Sequence, residues 1–90
     1  MLIALMAKDK DGALQTRLDN RDAHVAHLKD SGVVVHAGPF LNDDGKMCGS
    51  LAILDVADMA AAKEWAAQDP YAKAGLFASC ELIQWNKVIG

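Results

Sequence analysis

A short stretch of the chain, Ala13 to Gly32, concentrates the side chains that could do chemistry. It contains both arginines of the chain, Arg17 and Arg21, and two of its three histidines, His24 and His27. A guanidinium group binds a carboxylate through two parallel hydrogen bonds, and an imidazole exchanges a proton near neutral pH. This combination predicts a site for a small anionic molecule, with a histidine available for proton transfer.

The same stretch has the apolar periodicity of a helix. Four apolar residues fall on one face at roughly 100° per residue: Leu14, Leu18, Val25 and Leu28. Arg21 lands inside this stripe, and Arg17 and His24 lie along one flank of it. We therefore expect a helix that covers a core and presents the two arginines and His24 to a pocket at the edge of that core.

The bounds of this helix leave one alternative open. The pattern predicts a helix over residues 13–31, which Gly32 ends. Asn20 is a poor residue for a helix interior and a good N-cap, so a first turn could end at Asp19 and the main helix begin at Arg21.

The remaining elements follow from apolar runs and turn residues. The apolar run Met1 to Ala7 is typical of a buried central strand. Pro39 is expected to end the second strand, and the second and third strands are expected to form an antiparallel pair joined by a turn-rich loop. Asp58 is a good N-cap for the second helix. The predicted ranges are strands at 33–38 and 50–56, a loop at 40–49, a helix at 59–68, a short helical turn at 70–74 and a last strand region at 76–88.

The order strand, helix, strand, strand, helix, strand predicts an α+β fold. It is the ferredoxin-like split βαβ arrangement, with a four-stranded antiparallel sheet and two helices on one face, in a single domain over residues 1–90. The other face of the sheet then needs a cover, and in so small a chain we expect a second subunit to supply it.

Composition and spacing oppose several classes of function. The net charge is −3 and nine Lys and Arg residues are spread along the chain, which opposes nucleic-acid binding. The N-terminal apolar run is too short for a membrane span and has no preceding basic residue, so we expect neither a membrane anchor nor a signal peptide. Cys48 and Cys80 form no CxxC pair, and we expect two reduced thiols in a cytoplasmic protein.

We also expect neither a metal nor a cofactor. His24 and His27 have no third ligand at a helpful spacing. The glycines are isolated, so no glycine-rich phosphate loop is present.

Four short motifs, in this order and spacing, resemble the YciI-like family of small α/β proteins: Arg21-x-x-His24-Val25, Gly38-Pro39, Gly49-Ser50, and Asp69-Pro70-Tyr71 followed by Gly75. The resemblance covers nearly the whole chain. It implies a ferredoxin-like fold of the dimeric α/β-barrel type, a homodimer, and an active site built from His24 and Asp69. One branch of the family is similar to enzymes that eliminate chloride from a chlorinated muconolactone. The family often has proline directly after the arginine, where this chain has Asp22.

With this resemblance, His24 is the candidate acid or base and Asp69 the carboxylate that orients it. For His24 the alternative is a histidine that fills a helix flank. For Asp69 the alternative is the N-cap of the short turn, and one carboxylate can serve both purposes.

Four more residues are candidate substrate-binding side chains. Arg17 and Arg21 could hold an anionic group; the alternative is an ion pair with a neighbouring aspartate, Asp19, Asp22 or Asp69. Ser50 could line the pocket or simply open a strand. Tyr71 could close the pocket or pack at the dimer contact.

The sequence therefore favours an enzyme, of the lyase or isomerase kind, that acts on a small organic acid or lactone by proton abstraction or elimination. The alternative is a non-catalytic module that binds a small ligand on the same fold. A third hypothesis, a pure interaction domain, would leave His24 and Asp69 more than ~6 Å apart, beyond the reach of a bond through one water.

Overall fold

The computed structural model describes residues 1–90 and contains four strands and three helices. In chain order these are β1 (Leu2–Asp9), α1 (Leu14–Asp30), β2 (Val34–Leu41), β3 (Met47–Asp55), α2 (Met59–Gln68), α3 (Pro70–Lys73) and β4 (Phe77–Gln84). The strands form one antiparallel sheet in the order β2-β3-β1-β4. This is the predicted ferredoxin-like α+β fold, which is confirmed.

The core lies between one face of the sheet and the helices. Alternate residues of β1 point into it, and their partners on β3 point the same way: Ile3 pairs with Leu54, Leu5 with Ala52, and Ala7 with Ser50. Ala62 and Trp65 of α2 pack on these residues, and Leu28 of α1 joins them. Both long helices therefore cover the same face of the central strands.

Helix α1 is continuous, so the alternative break at Asn20 is wrong. The Asn20 amide donates to the carbonyl oxygen of Thr16 at 2.9 Å, which uses its polar group inside the helix instead of at an N-cap. The chain leaves the helix at Gly32, whose φ of +72° is readily adopted only by glycine.

Two strands differ from the predicted ranges. Pro39 does not end β2, because β2 is an edge strand, where a residue without an N–H is tolerated. Strand β3 begins at Met47 instead of Ser50, because the turn is tightened by Asn42, whose side-chain oxygen accepts hydrogen bonds from the N–H groups of Asp44 and Lys46.

The last strand is shorter than predicted. Strand β4 ends at Gln84, which pairs with Ile3 near the start of β1, so beyond this point the neighbouring strand offers almost no further backbone to pair with.

The face of the sheet that points away from the helices carries partly exposed apolar side chains, among them Leu51 and Ile83. The second subunit expected on this face remains a prediction. None of the helices has the length and apolar character needed to cross a membrane.

Candidate active site

The buried residues of helix α1 are both polar: Arg17 and His24. They are two turns apart and lie on the same face of the helix. The predicted apolar stripe is only partly the buried face: Leu28 packs against the core, but Leu18 is 46% exposed, whereas Arg17 is 2% exposed. The helix is rotated from the predicted orientation because carboxylates on other elements are available to pair with these two side chains.

His24 and Asp69 form the central contact of the site. His24 Nδ1 lies 2.7 Å from Asp69 Oδ1, and both residues are buried. Asp69 is the N-cap of α3, and the same oxygen accepts the backbone N–H of Tyr71 at 3.0 Å. One carboxylate oxygen thus caps a short helix and holds a histidine ring.

This contact leaves the second ring nitrogen of His24 free. A carboxylate accepts hydrogen bonds, so Nδ1 carries the proton and Nε2 of the neutral ring carries a lone pair. Nδ1 makes the ring's one hydrogen bond, and no buried side-chain nitrogen or oxygen of the protein lacks a partner. His24 Nε2 is therefore accessible, in the position of a base that can receive a proton.

Tyr71 fixes the orientation of the His24 ring. The two rings are stacked with their centres 3.8 Å apart and their planes within 12°, and the Arg17 guanidinium carbon lies 4.7 Å from the centre of the Tyr71 ring. Burial raises the pKa of the Tyr71 hydroxyl, while the positive charges of Arg17 and Arg21 act in the opposite direction. Tyr71 therefore keeps its proton at neutral pH.

Arg17 is already occupied by Asp9. Arg17 Nε and Nη2 donate to the two carboxylate oxygens of Asp9 at 2.8 and 2.9 Å, and Nη2 also donates to Ser50 Oγ at 2.9 Å. Burial disfavours the charge on Arg17, but the hydrogen bonds and charge of Asp9 outweigh it and raise the pKa of Arg17. The three aspartates expected as ion-pair partners of Arg17 are therefore the wrong ones.

The sequence contained a signal for Asp9. Positions 3, 5 and 7 of β1 are buried, and the alternation of a strand carries position 9 to the same face. Asp9 ends this series, and its side chain is 6% exposed. A carboxylate at the end of a buried apolar series predicts a cation nearby, and Arg17 is that cation.

Arg21, unlike Arg17, has no carboxylate partner. It is exposed and forms no salt bridge or side-chain hydrogen bond, so the ion pair considered for it in the sequence is absent. It lies beside the same cavity. Of the two arginines, Arg21 is the one whose charge is available to a ligand.

A cavity of about 160 Å³ lies between α1, the N-terminal part of β3 and the middle of β2. The structure brings together at its wall all six residues singled out from the sequence: Arg17, Arg21, His24, Ser50, Asp69 and Tyr71. The rest of the wall is largely apolar and includes Leu5, Val25, Ala52 and Trp65. Sequence reasoning missed this apolar wall because its residues come from separate strands and helices that only the fold brings together.

The other candidate side chains lie outside the cavity. His27 Nε2 contacts the backbone oxygen of Trp65 at 3.2 Å, which ties α1 to α2. Cys48 and Cys80 are both unpaired. No group of three or more His, Cys, Asp or Glu side chains has the arrangement of a metal site.

These observations define a small ferredoxin-like protein with a buried His–Asp pair at the wall of a mostly apolar cavity. The chain belongs to the YCII-related family, because the model of the YCII-related domain matches residues 1–86. It is 36% identical to Protein YciI of Escherichia coli O6:H1, with 98% of this chain and 99% of that protein covered. It is 34% identical to an uncharacterized protein of Haemophilus influenzae over the same shares.

Among solved structures, the chain is similar to 5-chloro-2-hydroxyhydroquinone dehydrochlorinase (TftG) from Burkholderia phenoliruptrix AC1100, solved in complex with 2,5-dihydroxybenzoquinone. The TM-score is 0.87 and the identity 35%, over 96% of this chain and 94% of that one. An antibiotic biosynthesis monooxygenase has a TM-score of 0.62 at 14% identity, covering 99% of this chain and all of that one, which shows a shared fold alone.

Proposed function

We propose that this protein is an enzyme that removes a proton from a small, single-ring, anionic molecule, as an isomerase or as a lyase that eliminates a leaving group. His24 is the base and Asp69 orients it. The observation that carries the proposal is the pairing of His24 Nδ1 with Asp69 at 2.7 Å, which leaves Nε2 unpaired and accessible. The same distance is far below the ~6 Å expected of a pure interaction domain.

The cavity supports a substrate of one ring. An apolar protein cavity of about 150 Å³ accommodates a benzene molecule, and the cavity here has about 160 Å³. Its apolar wall suits the ring, and Arg21 supplies an unpaired positive charge for a carboxylate or an ionised hydroxyl group. Small cyclic acids, lactones that carry a carboxylate, and hydroxylated quinones all have these properties.

The likeness to TftG supports elimination in particular. That protein is a dehydrochlorinase for a chlorinated hydroxyhydroquinone, and it shares 35% of its residues with this chain over nearly the whole length of both. Chlorinated hydroxyhydroquinones, together with chlorinated lactones, are therefore the first compounds to test as substrates.

The proposed step follows from the residues at the cavity. His24 Nε2 takes a proton from the substrate, and the bond to that proton breaks. The electron pair moves into the ring, and in an elimination a chloride leaves with the electron pair of its own bond. Asp69 stabilises the imidazolium that results, and this ion then returns its proton to solvent.

We propose in addition that the enzyme is a cytoplasmic homodimer that binds its second copy through the apolar sheet face around Leu51 and Ile83. Sedimentation equilibrium tests this arrangement, and a mass of one chain at micromolar concentration contradicts it. The unpaired Cys48 and Cys80 fit a reducing compartment, which fractionation of cells that produce the protein can check.

Chloride release from 5-chloro-2-hydroxyhydroquinone and from a chlorinated lactone tests the activity. His24→Ala is expected to lower kcat at least about a hundredfold, the usual contribution of a general base. His27→Gln is the matched control, since His27 lies one turn away on α1, outside the cavity, and glutamine can keep its contact with the backbone. Equal activity of His24→Ala and wild type contradicts the proposal. Binding of these compounds without turnover by the wild type favours the alternative, a non-catalytic ligand-binding module.

A further inference from the structure

Ser50 accepts a hydrogen bond from Arg17, but Arg17 cannot accept one from the Ser50 hydroxyl in return. A serine hydroxyl has one proton to donate and two lone pairs that accept, whereas a guanidinium only donates. The bond of 2.9 Å from Arg17 Nη2 therefore ends on a lone pair of Ser50 Oγ. This is the one hydrogen bond of the Ser50 side chain, so its own proton has no acceptor within the protein.

The surroundings leave the cavity as the place for an acceptor. Ser50 is buried in β3 and contributes to the cavity wall beside His24 and Tyr71. Arg17, which donates to Ser50, has no acceptor atom, and the two oxygens of Asp9 are both engaged by Arg17. An acceptor for the Ser50 proton must come from a molecule inside the cavity.

Asp9 and Arg17 also strengthen Ser50 as a donor. A hydroxyl that accepts a hydrogen bond from a charged group donates its own proton more strongly, because the two bonds polarise each other. Asp9 balances the charge of Arg17 and clamps it in two places, so Arg17 is poorly placed to bind a substrate anion itself.

We infer that Ser50 donates a hydrogen bond to a carbonyl oxygen of the substrate, adjacent to the carbon that His24 deprotonates, and that Asp9 and Arg17 are positioning residues that hold Ser50 in this role. The substrate class is thus a cyclic carbonyl compound, a lactone or the keto tautomer of a hydroxyhydroquinone, with an acidic C–H next to the carbonyl. This inference rests on the proposed proton transfer by His24.

The inferred reaction passes through an enolate. The C–H bond breaks as Nε2 takes the proton, the electron pair forms a carbon–carbon double bond, and the carbonyl becomes an enolate whose negative oxygen is bound by Ser50. In an elimination the carbonyl forms again and the displaced pair expels chloride from the neighbouring carbon. The Ser50 bond is strongest when the oxygen is negative, so it stabilises the step more than the bound substrate.

Binding of 2,5-dihydroxybenzoquinone, followed by its absorption spectrum, tests the donor role of Ser50. Ser50→Ala is expected to weaken binding about tenfold, as for the loss of one good hydrogen bond. Ser50→Thr keeps a hydroxyl and is expected to bind within about threefold of wild type. Wild-type affinity in Ser50→Ala overturns the inference, and so does a wild type that does not bind this quinone.

A double-mutant cycle tests the positioning role. The variant Asp9→Asn with Arg17→Gln replaces the ion pair by two neutral amides, so no unpaired charge is left buried. It is expected to weaken quinone binding severalfold in the wild-type background and by less than about twofold when Ser50 is already alanine. Equal losses in both backgrounds overturn the positioning role. Failure of the proposed function is detected separately, as unchanged turnover in His24→Ala, and that result does not alter the quinone affinity of the Ser50 variants.

Discussion

Two acid–base pairs contribute to the same cavity wall, Asp9–Arg17 through Arg17 alone and His24–Asp69 through both residues, and they differ in which atoms they leave unpaired. In the pair of Asp9 and Arg17, both carboxylate oxygens accept hydrogen bonds from Arg17, and Arg17 Nη2 also donates to Ser50. In the pair of His24 and Asp69, one contact of 2.7 Å holds the ring and leaves Nε2 accessible. The first pair is arranged to stay fixed, and the second is arranged to exchange a proton.

The same contrast separates the two arginines of α1. Arg17 and Arg21 are four residues apart, one turn of the helix, yet the first is buried and paired and the second exposed and unpaired. Chemical type alone therefore does not assign a role. The decisive factor is whether a carboxylate within reach has already satisfied the cation.

The largest expected difference between the two arginines is in their contribution to stability. Arg17→Ala leaves the Asp9 carboxylate buried without its partner and is expected to lower the free energy of unfolding by about 3–5 kcal/mol. Arg21→Ala, the matched control on the same helix, is expected to change it by less than about 0.5 kcal/mol, since Arg21 is exposed and unpaired. Urea unfolding of both variants measures the difference. If both variants lose the same free energy of unfolding, Arg17 does not stabilise the fold more than Arg21 does.

A smaller effect separates the two tasks of Asp69. Asp69→Asn can still accept both hydrogen bonds, so it is expected to unfold close to wild type. Asp69→Ala loses the N-cap of α3 and the partner of His24, and is expected to be less stable than Asp69→Asn by about 1–2 kcal/mol. Both variants are expected to lose activity, because neither supplies the negative charge that stabilises the imidazolium. Thermal unfolding and chloride release measure the two effects separately, and full activity in Asp69→Asn contradicts the proposed role.

The smallest effect concerns Tyr71, which contacts both pairs. It is the chain's one tyrosine, so its phenolate absorption reports it alone. Burial raises the pKa of Tyr71 above its ordinary value of 10.0. Between pH 10 and the raised pKa the unfolded chain has released this proton while the folded chain keeps it, so stability falls as pH rises through that interval.

Titration of the phenolate band tests this expectation. The native protein is expected to titrate above pH 10 and the protein in urea near pH 10. Tyr71→Phe is the control for the stability measurement, and it is expected to lose less stability than wild type over the same rise in pH. A native midpoint at or below 10 shows that the two arginine charges outweigh burial at this position.

The amino-acid sequence was sufficient for the order of elements, because apolar periodicity and turn residues act locally. Helix α2 has the predicted bounds, since Asp58 caps its start and Pro70 prevents its continuation. The short motifs, together with the other arginine of α1, Arg17, also led to the six residues that meet at the cavity. The ends of strands were harder to predict, because they depend on neighbouring strands. Strand β2 continues through Pro39 because it lies at the sheet edge, and β4 ends at Gln84 because its partner β1 begins there.

Tertiary structure alone decided which face of α1 is buried and which cation is satisfied. The sequence placed Leu18 and Arg21 in the apolar stripe and Arg17 and His24 on its flank, whereas the fold buries Arg17 and His24 and leaves Leu18 and Arg21 exposed. The reason is energetic: a buried charge is tolerated only beside a partner. Asp9 and Asp69 belong to other elements, β1 and α3, and only the folded chain brings both of them against one face of α1. The sequence determines the chemistry of each side chain, but the pairings made in the fold determine which side chains remain available to a ligand.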